Sequence, residues 1–319
     1  MKETDKNVMK EEKISAVVTM PPYAPHIEEV LRHPIVSGIR LNTVMPVKES
    51  LESLLFRLNR AAENNGKDLW VDLKGRQLRI ATFGVPPFTE IKLTHKIDVY
   101  TPCKIYFGDR NEPSTLLEVD GDRLIMQEGP RRVVGPGESV TIPHPTLKIE
   151  GYLTDLDKRY IEAGKRIGAH KYMLSFVESQ DDIDTLKKID KDAEVIAKIE
   201  SVKGLDFVNR EYKGDVRLMA ARGDLYMELH WPHKIINALQ DILGKDKNAY
   251  VASRLFESLT RQPEPSCEDI GDVDNLFRMG YRRVMFGDEL CLKRETIMPA
   301  LNLLSVMADN YKNPIPREK

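Results

Sequence analysis

Cysteine is scarce in this chain. Cys103, Cys267 and Cys291 are odd in number, far apart and outside any metal-ligand spacing. That pattern argues against a disulfide framework or a zinc site and predicts reduced thiols in a cytoplasmic setting. Long hydrophobic runs are missing as well. No stretch approaches the roughly 20 apolar residues that span a bilayer, and the opening MKETDKNVMKEEK lacks the apolar core of a secretion signal. No membrane partner is expected. Nor is there an excess of either charge: 48 Lys and Arg against 50 Asp and Glu give a net charge of -2, so no nucleic-acid surface is expected. Internal repeats and low-complexity segments are absent. The GPGE at 135–138 is not followed by GK[ST], so it reads as a hairpin turn and not as a phosphate loop.

With 319 residues, 41% of them hydrophobic, the chain can bury one large domain or one large and one small. Strand-like segments recur at 16–20, 37–42, 69–74, 170–177, 194–200, 215–222, 248–253 and 282–287. Amphipathic helices are predicted between them, over Val47–Asn65, Asp155–Ile167, Gln180–Ile189, His233–Leu243, Val273–Met279 and Arg294–Asn310. Eight strands alternating with helices predict an α/β fold, a (β/α)₈ TIM barrel, whose chemistry gathers at the C-terminal ends of the strands. One segment breaks the alternation. Residues 81–147 hold short strand-like runs punctuated by VDGD, EGP and GPGE, which predicts a small all-β cap inserted after the third strand. The barrel is then expected over 14–80 and 148–312, with charged tails at 1–13 and 313–319.

The most informative stretch runs from Glu194 to Leu225. Residues two apart on a strand share a face, so Lys198 and Glu200 point the same way, and Asp224 follows the next strand. Two carboxylates suit a hard cation, Mg²⁺ or Mn²⁺, and an ammonium beside them can stabilise an enolate or a phosphoryl group in transfer. A Lys and a Glu at this spacing are more often a plain salt bridge; Asp224, together with a family resemblance of the surrounding segments, turns the reading toward a metal site. His230 and His233, three apart at a helix start, read as exposed helix-end residues.

Several segments resemble the pyruvate kinase family, in matching order and spacing. RLN at 40–42 and VDLKGRQLR at 71–79 resemble that family's RLNFSHG and LDTKGPEIR. SFVES at 175–179, IAKIES at 196–201, AARGDL at 220–225 and ASRLFES at 252–258 are similar to SFVRS, IAKIEN, VARGDL and ATQMLES. The resemblance implies Glu200 and Asp224 as divalent-metal ligands and Lys198 as the stabiliser of the phosphoryl group and the enolate. It implies backbone N–H groups of Gly223 and Asp224 on the substrate carboxylate, and Ser253 in place of a threonine near the enolate carbon. Arg40 and Arg79 match phosphate-binding arginines, although each could instead pair with a carboxylate such as Asp72. Asn42 and Asp72 match half of a potassium site.

The departures carry information too. Val44 and Leu73 replace two oxygen ligands of that potassium site, so potassium activation is not expected. Gln77 replaces a glutamate, Met45 and Pro46 a histidine and a glycine on the nucleotide side, and Glu178 an arginine. Tyr226 stands at the last glycine of GDLG, and FGDEL at 286–290 stands for SGETA. The metal and enolate half is kept, whereas the nucleotide half is eroded. The resemblance implies a Mg-dependent enzyme of phosphoenolpyruvate and pyruvate, with ADP or ATP as the other substrate. The family's C-terminal regulatory domain is expected to be lacking, and sugar-phosphate activation with it. Two alternatives stand beside this one. The same site could serve a Mg-dependent lyase, aldolase or decarboxylase of another 2-oxo acid, or the chain could be a non-catalytic binding protein. A homo-oligomer is allowed by any of the three.

Overall fold

The computed structural model describes residues 13–86, 90–108 and 113–312. The expected tails fall outside these residues, apart from Lys13. Three strands come first, β1 (Ser15–Thr19), β2 (Val36–Asn42) and β3 (Asp68–Leu73). Seven short ones follow: β4 (Glu90–Lys92), β5 (Ile97–Asp98), β6 (Cys103–Phe107), β7 (Pro113–Asp120), β8 (Arg123–Met126), β9 (Val140–Thr141) and β10 (Lys148–Ile149). Five more complete the set, β11 (Lys171–Leu174), β12 (Glu194–Ile199), β13 (Arg217–Ala221), β14 (Tyr250–Ala252) and β15 (Arg283–Phe286). The first three and last five close a parallel barrel in the order β1-β15-β14-β13-β12-β11-β3-β2, with helices between the strands. This is the (β/α)₈ barrel that the alternation predicts.

Period two along each strand fills the barrel. Val17, Trp70, Met173, Ile196, Met219, Ala252 and Met285 form one interior cluster, a residue from each of seven strands. The eighth, β2, contributes Gly38 beside them. A Cβ there would lie 2.8 Å from the Asp68 carbonyl and 3.3 Å from the Trp70 ring. Two residues further along, the same alternation turns Asp72, Ser175 and Lys198 inward, so a polar layer sits on the apolar one at the C-terminal end. All three are buried.

Helix starts follow capping chemistry. Ser50 accepts from the Ser53 N–H, and Ser201, directly after Glu200, accepts from the Gly204 N–H and opens the helix Val202–Arg210. Thr154 and Asp157 form a capping box for Asp155–Ile167. The buried Asp157 carboxylate also accepts from the N–H groups of Lys74 (2.8 Å) and Gly75 (3.1 Å). One carboxylate therefore holds the chain where it leaves β3 and where it re-enters the helical ring.

Between those points β4, β8, β7, β6 and β9 form an antiparallel five-stranded sheet, and β5 pairs with β10. Ile80, Ile91, Ile105, Phe107, Leu116 and Leu124 are part of a separate core there. Pairing in this inserted β structure reaches from Arg79, bridged to Ser139, to Ile149. The GPGE segment turns as expected, with the Glu138 N–H on the Gly135 carbonyl and Gly137 at φ +88°.

Candidate active site

Strand β12 ends in a polar pair because Ile196, Lys198 and Glu200 follow one face and Ser201 stops the strand. The Lys198 ammonium lies 3.1 Å from Asp72 Oδ1 and 3.3 Å from Glu200 Oε1, and it donates to Ser175 Oγ at 2.8 Å. Glu200 Oε2 accepts from the Phe176 N–H at 2.7 Å. Phe176 reaches it with φ +51°, a left-handed backbone that a phenylalanine adopts only under constraint. Lys198, Glu200 and Asp72 are 5%, 2% and 0% exposed, so water screens them little.

Asp72 is the hub. Arg40 Nε donates to it at 2.9 Å, Arg40 Nη2 contacts it as well, and Lys74 Nζ lies 3.0 Å away. Burial alone would raise its pKa, but Arg40, Lys198 and Lys74 hold it well below the ordinary carboxylate range. Arg40 also donates to Thr19 Oγ1 at 2.8 Å and to Asp288 Oδ2 at 3.2 Å. Asn42 Nδ2 donates to Asp288 Oδ1 at 2.8 Å. The ion pair with Asp72 that the sequence allows for Arg40 is therefore formed, and Asp288 joins it.

The charges are unevenly compensated. Burial would lower the Lys198 pKa, but Asp72 and Glu200 outweigh it and hold the ammonium charged. Glu200 receives less in return. Burial pushes its carboxyl up to about 7; Lys198 opposes that, and the like charges of Asp224 and Asp72 add to it. The two shifts agree once the ammonium is seen to be shared and spent mainly on Asp72. Burial pushes Lys74 down to about 7 against the pull of Asp72, with Arg79 and Arg40 adding to the fall.

Asp224 lies in the first turn of the short helix Arg222–Glu228 that follows β13. Gly223, beside it, faces Ser253, whose Oγ would be 3.3 Å from a Cβ at that glycine. Ser253, Arg254 and Phe256 all have positive φ (70°, 57° and 52°), so the segment after β14 is strained next to the predicted site. Arg79 Nη1 donates to the Gly137 carbonyl of the inserted β structure, and Nη2 donates to Gln77 Oε1 at 2.5 Å. Among the described residues Arg79 Nε, though buried, has no acceptor.

The carboxylate donors at the end of β12 fit a divalent cation. A buried carboxyl with a raised pKa, close enough to two other carboxylates to feel both, is electrostatically short of positive charge. Asp72 is the opposite case, with Arg40, Lys198 and Lys74 all within 3.1 Å of its carboxylate. Sequence reasoning missed Lys74 and Asp288 as members of this layer. A cavity of about 710 Å³ lies beside the layer, between the inserted β structure and the barrel rim, with Arg76, His144, Phe176, Glu178, Lys203 and His230 among its walls.

The model for the pyruvate kinase barrel domain matches residues 89–292. The chain belongs to the pyruvate kinase family. The pyruvate kinase of Thermoplasma acidophilum is 25% identical over 331 residues, covering 95% of this chain and 59% of that protein. That of Methylorubrum extorquens is 28% identical over 296 residues, covering 83% and 61%. That of Debaryomyces hansenii is 30% identical over 161 residues, covering 48% and 30%. The chain thus spans at most about three fifths of the length of these relatives. Among the described residues no helix is long and apolar enough to cross a membrane.

Proposed function

We propose that this member of the pyruvate kinase family is a Mg²⁺- or Mn²⁺-dependent enzyme that transfers a phosphoryl group between phosphoenolpyruvate and a nucleotide, through the enolate of pyruvate. The observation that carries the reading is the buried Lys198 ammonium set between Asp72 and Glu200 at a strand end, with Asp224 and Ser253 on neighbouring strand ends. Glu200 and Asp224 would hold the divalent ion, which supplies charge neutralisation for the phosphoryl and enolate oxygens. Lys198 neutralises the remaining charge as it develops. Arg79, with its free Nε, orients the phosphate together with Arg40. The N–H groups of Gly223 and Asp224 take the substrate carboxylate, and the Ser253 hydroxyl lies near the enolate carbon. The inserted β structure, tied down through Arg79 and Gly137, keeps water from the phosphoryl group.

A second reading, a Mg-dependent lyase or decarboxylase of a 2-oxo acid, has support in one place. The turn after β2 carries a 37% exposed Val44, then Met45 and Pro46, which offer a nucleotide no polar side chain. Solvent exchange of the pyruvate methyl protons in Mg²⁺ tests the enolate chemistry common to both. Absence of exchange would refute both. ADP-dependent pyruvate formation from phosphoenolpyruvate then separates them, and only the kinase predicts it.

A further inference from the structure

The helix Arg222–Glu228 and the strained segment after β14 run side by side. Gly223 and Tyr226, three apart, share a helix face. Along that face Gly223 meets Ser253, and Tyr226 meets Arg254, whose guanidinium carbon lies 4.6 Å from the centre of the Tyr226 ring. Arg254 is exposed and held in a left-handed conformation, φ +57°. Among the described residues it has no carboxylate within 4.0 Å, whereas buried Arg40 and Arg222 nearby both do. A positive charge therefore lies over a ring with no carboxylate of the described residues to satisfy it.

We propose that Arg254, seated on Tyr226, is an outer anion subsite for a second carboxylate carried on C3 of the substrate, so that the site takes dicarboxylic 2-oxo acids or their enol phosphates in preference to the pyruvate skeleton. This rests on the proposed function in one respect, that Ser253 stands near the enolate carbon, C3. Arg254 is the residue next to Ser253, and consecutive Cα atoms are ~3.8 Å apart, about the reach that one carboxyl or carboxymethyl group on C3 adds. Tyr226 presents its ring to the cation and leaves the guanidinium edge, with its paired N–H donors, for the ligand.

The test is titration calorimetry of the full chain in Mn²⁺ with pyruvate, oxaloacetate and 2-oxoglutarate. At least one dicarboxylic acid is expected to bind about tenfold tighter than pyruvate, the gain of one charge-assisted bidentate pair. In Arg254→Gln that ratio falls to about one, and in Tyr226→Leu it falls part of the way, with melting curves checking that each variant is folded. An equal affinity for all three acids, or a ratio unchanged in Arg254→Gln, overturns the subsite while leaving the proposed function standing. If pyruvate and the dicarboxylic acids all fail to bind, the proposed function falls and the subsite with it.

Discussion

As a ligand in the proposed metal site, Glu200 should make the affinity for a divalent metal a function of pH. Its carboxyl is pushed up to about 7 from an ordinary 4.5, because burial and two like charges outweigh a shared ammonium. A metal needs the ionised form, so below about pH 7 each ion bound must displace one proton. The ionised fraction rises from ~0.1 at pH 6 to ~0.9 at pH 8, so the apparent affinity for Mn²⁺ should climb about tenfold across that interval and then level off. Calorimetry in two buffers of different ionisation enthalpy reads the released proton directly. About one proton per ion is expected at pH 6 and almost none at pH 8.5. Glu200→Gln should bind more weakly and lose the slope. The metal-free protein adds an independent check. A carboxyl whose folded pKa lies above its unfolded one contributes stability that is present below about 4.5 and lost as pH climbs through about 7. The loss amounts to roughly 3 kcal/mol in the limit of full burial, and Mn²⁺ should restore it. An affinity flat between pH 6 and 8, with no proton released, would refute the reasoning.

Further outcomes follow from the same layer. Lys198→Met should lower the rate of pyruvate methyl-proton exchange by roughly 10²-fold or more, the usual cost of removing a charge aimed at a developing oxyanion; a loss under tenfold in deuterium incorporation would deny it that role. Exchanging sodium for potassium at constant ionic strength should change neither the melting temperature nor the exchange rate, since Val44 and Leu73 stand where two oxygen ligands would be needed. Arg40→Ala should destabilise the fold by roughly 3–5 kcal/mol, measured by urea unfolding, because it strips a buried carboxylate of its main partner. Gly38→Ala, with its Cβ 2.8 Å from the Asp68 carbonyl, should cost about 1–3 kcal/mol in the same assay.

Much of this architecture could be read from residues in order. Lys198 and Glu200 were placed by strand alternation, which the capping serine at 201 then terminates. The helices at 155–167 and 180–189 carry capping boxes and strong apolar stripes, and they fall where expected. Two others, Ile27–Arg32 and Arg222–Glu228, are too short for an apolar stripe to show, and Val202–Arg210 hides its start behind a glycine. Lys74 was within reach. The spacing rule that pairs 198 with 200 also pairs 72 with 74, both within VDLKGRQLR. Asp288 was not. Its partners Arg40 and Asn42 are 248 and 246 residues away, and only the β1–β15 seam brings them together. Nor does sequence say that Arg254 lies on Tyr226, since that depends on a backbone bent into the left-handed region.

Asp157 has a consequence beyond capping. Because one carboxylate grips both the outgoing and the returning chain, the inserted span is fastened to the ring at its two ends, with Arg76 on Asp182 and Lys203 on the Leu147 carbonyl as further ties. Sequence within that span can lengthen, shorten or be exchanged without asking the cylinder to move its gateposts.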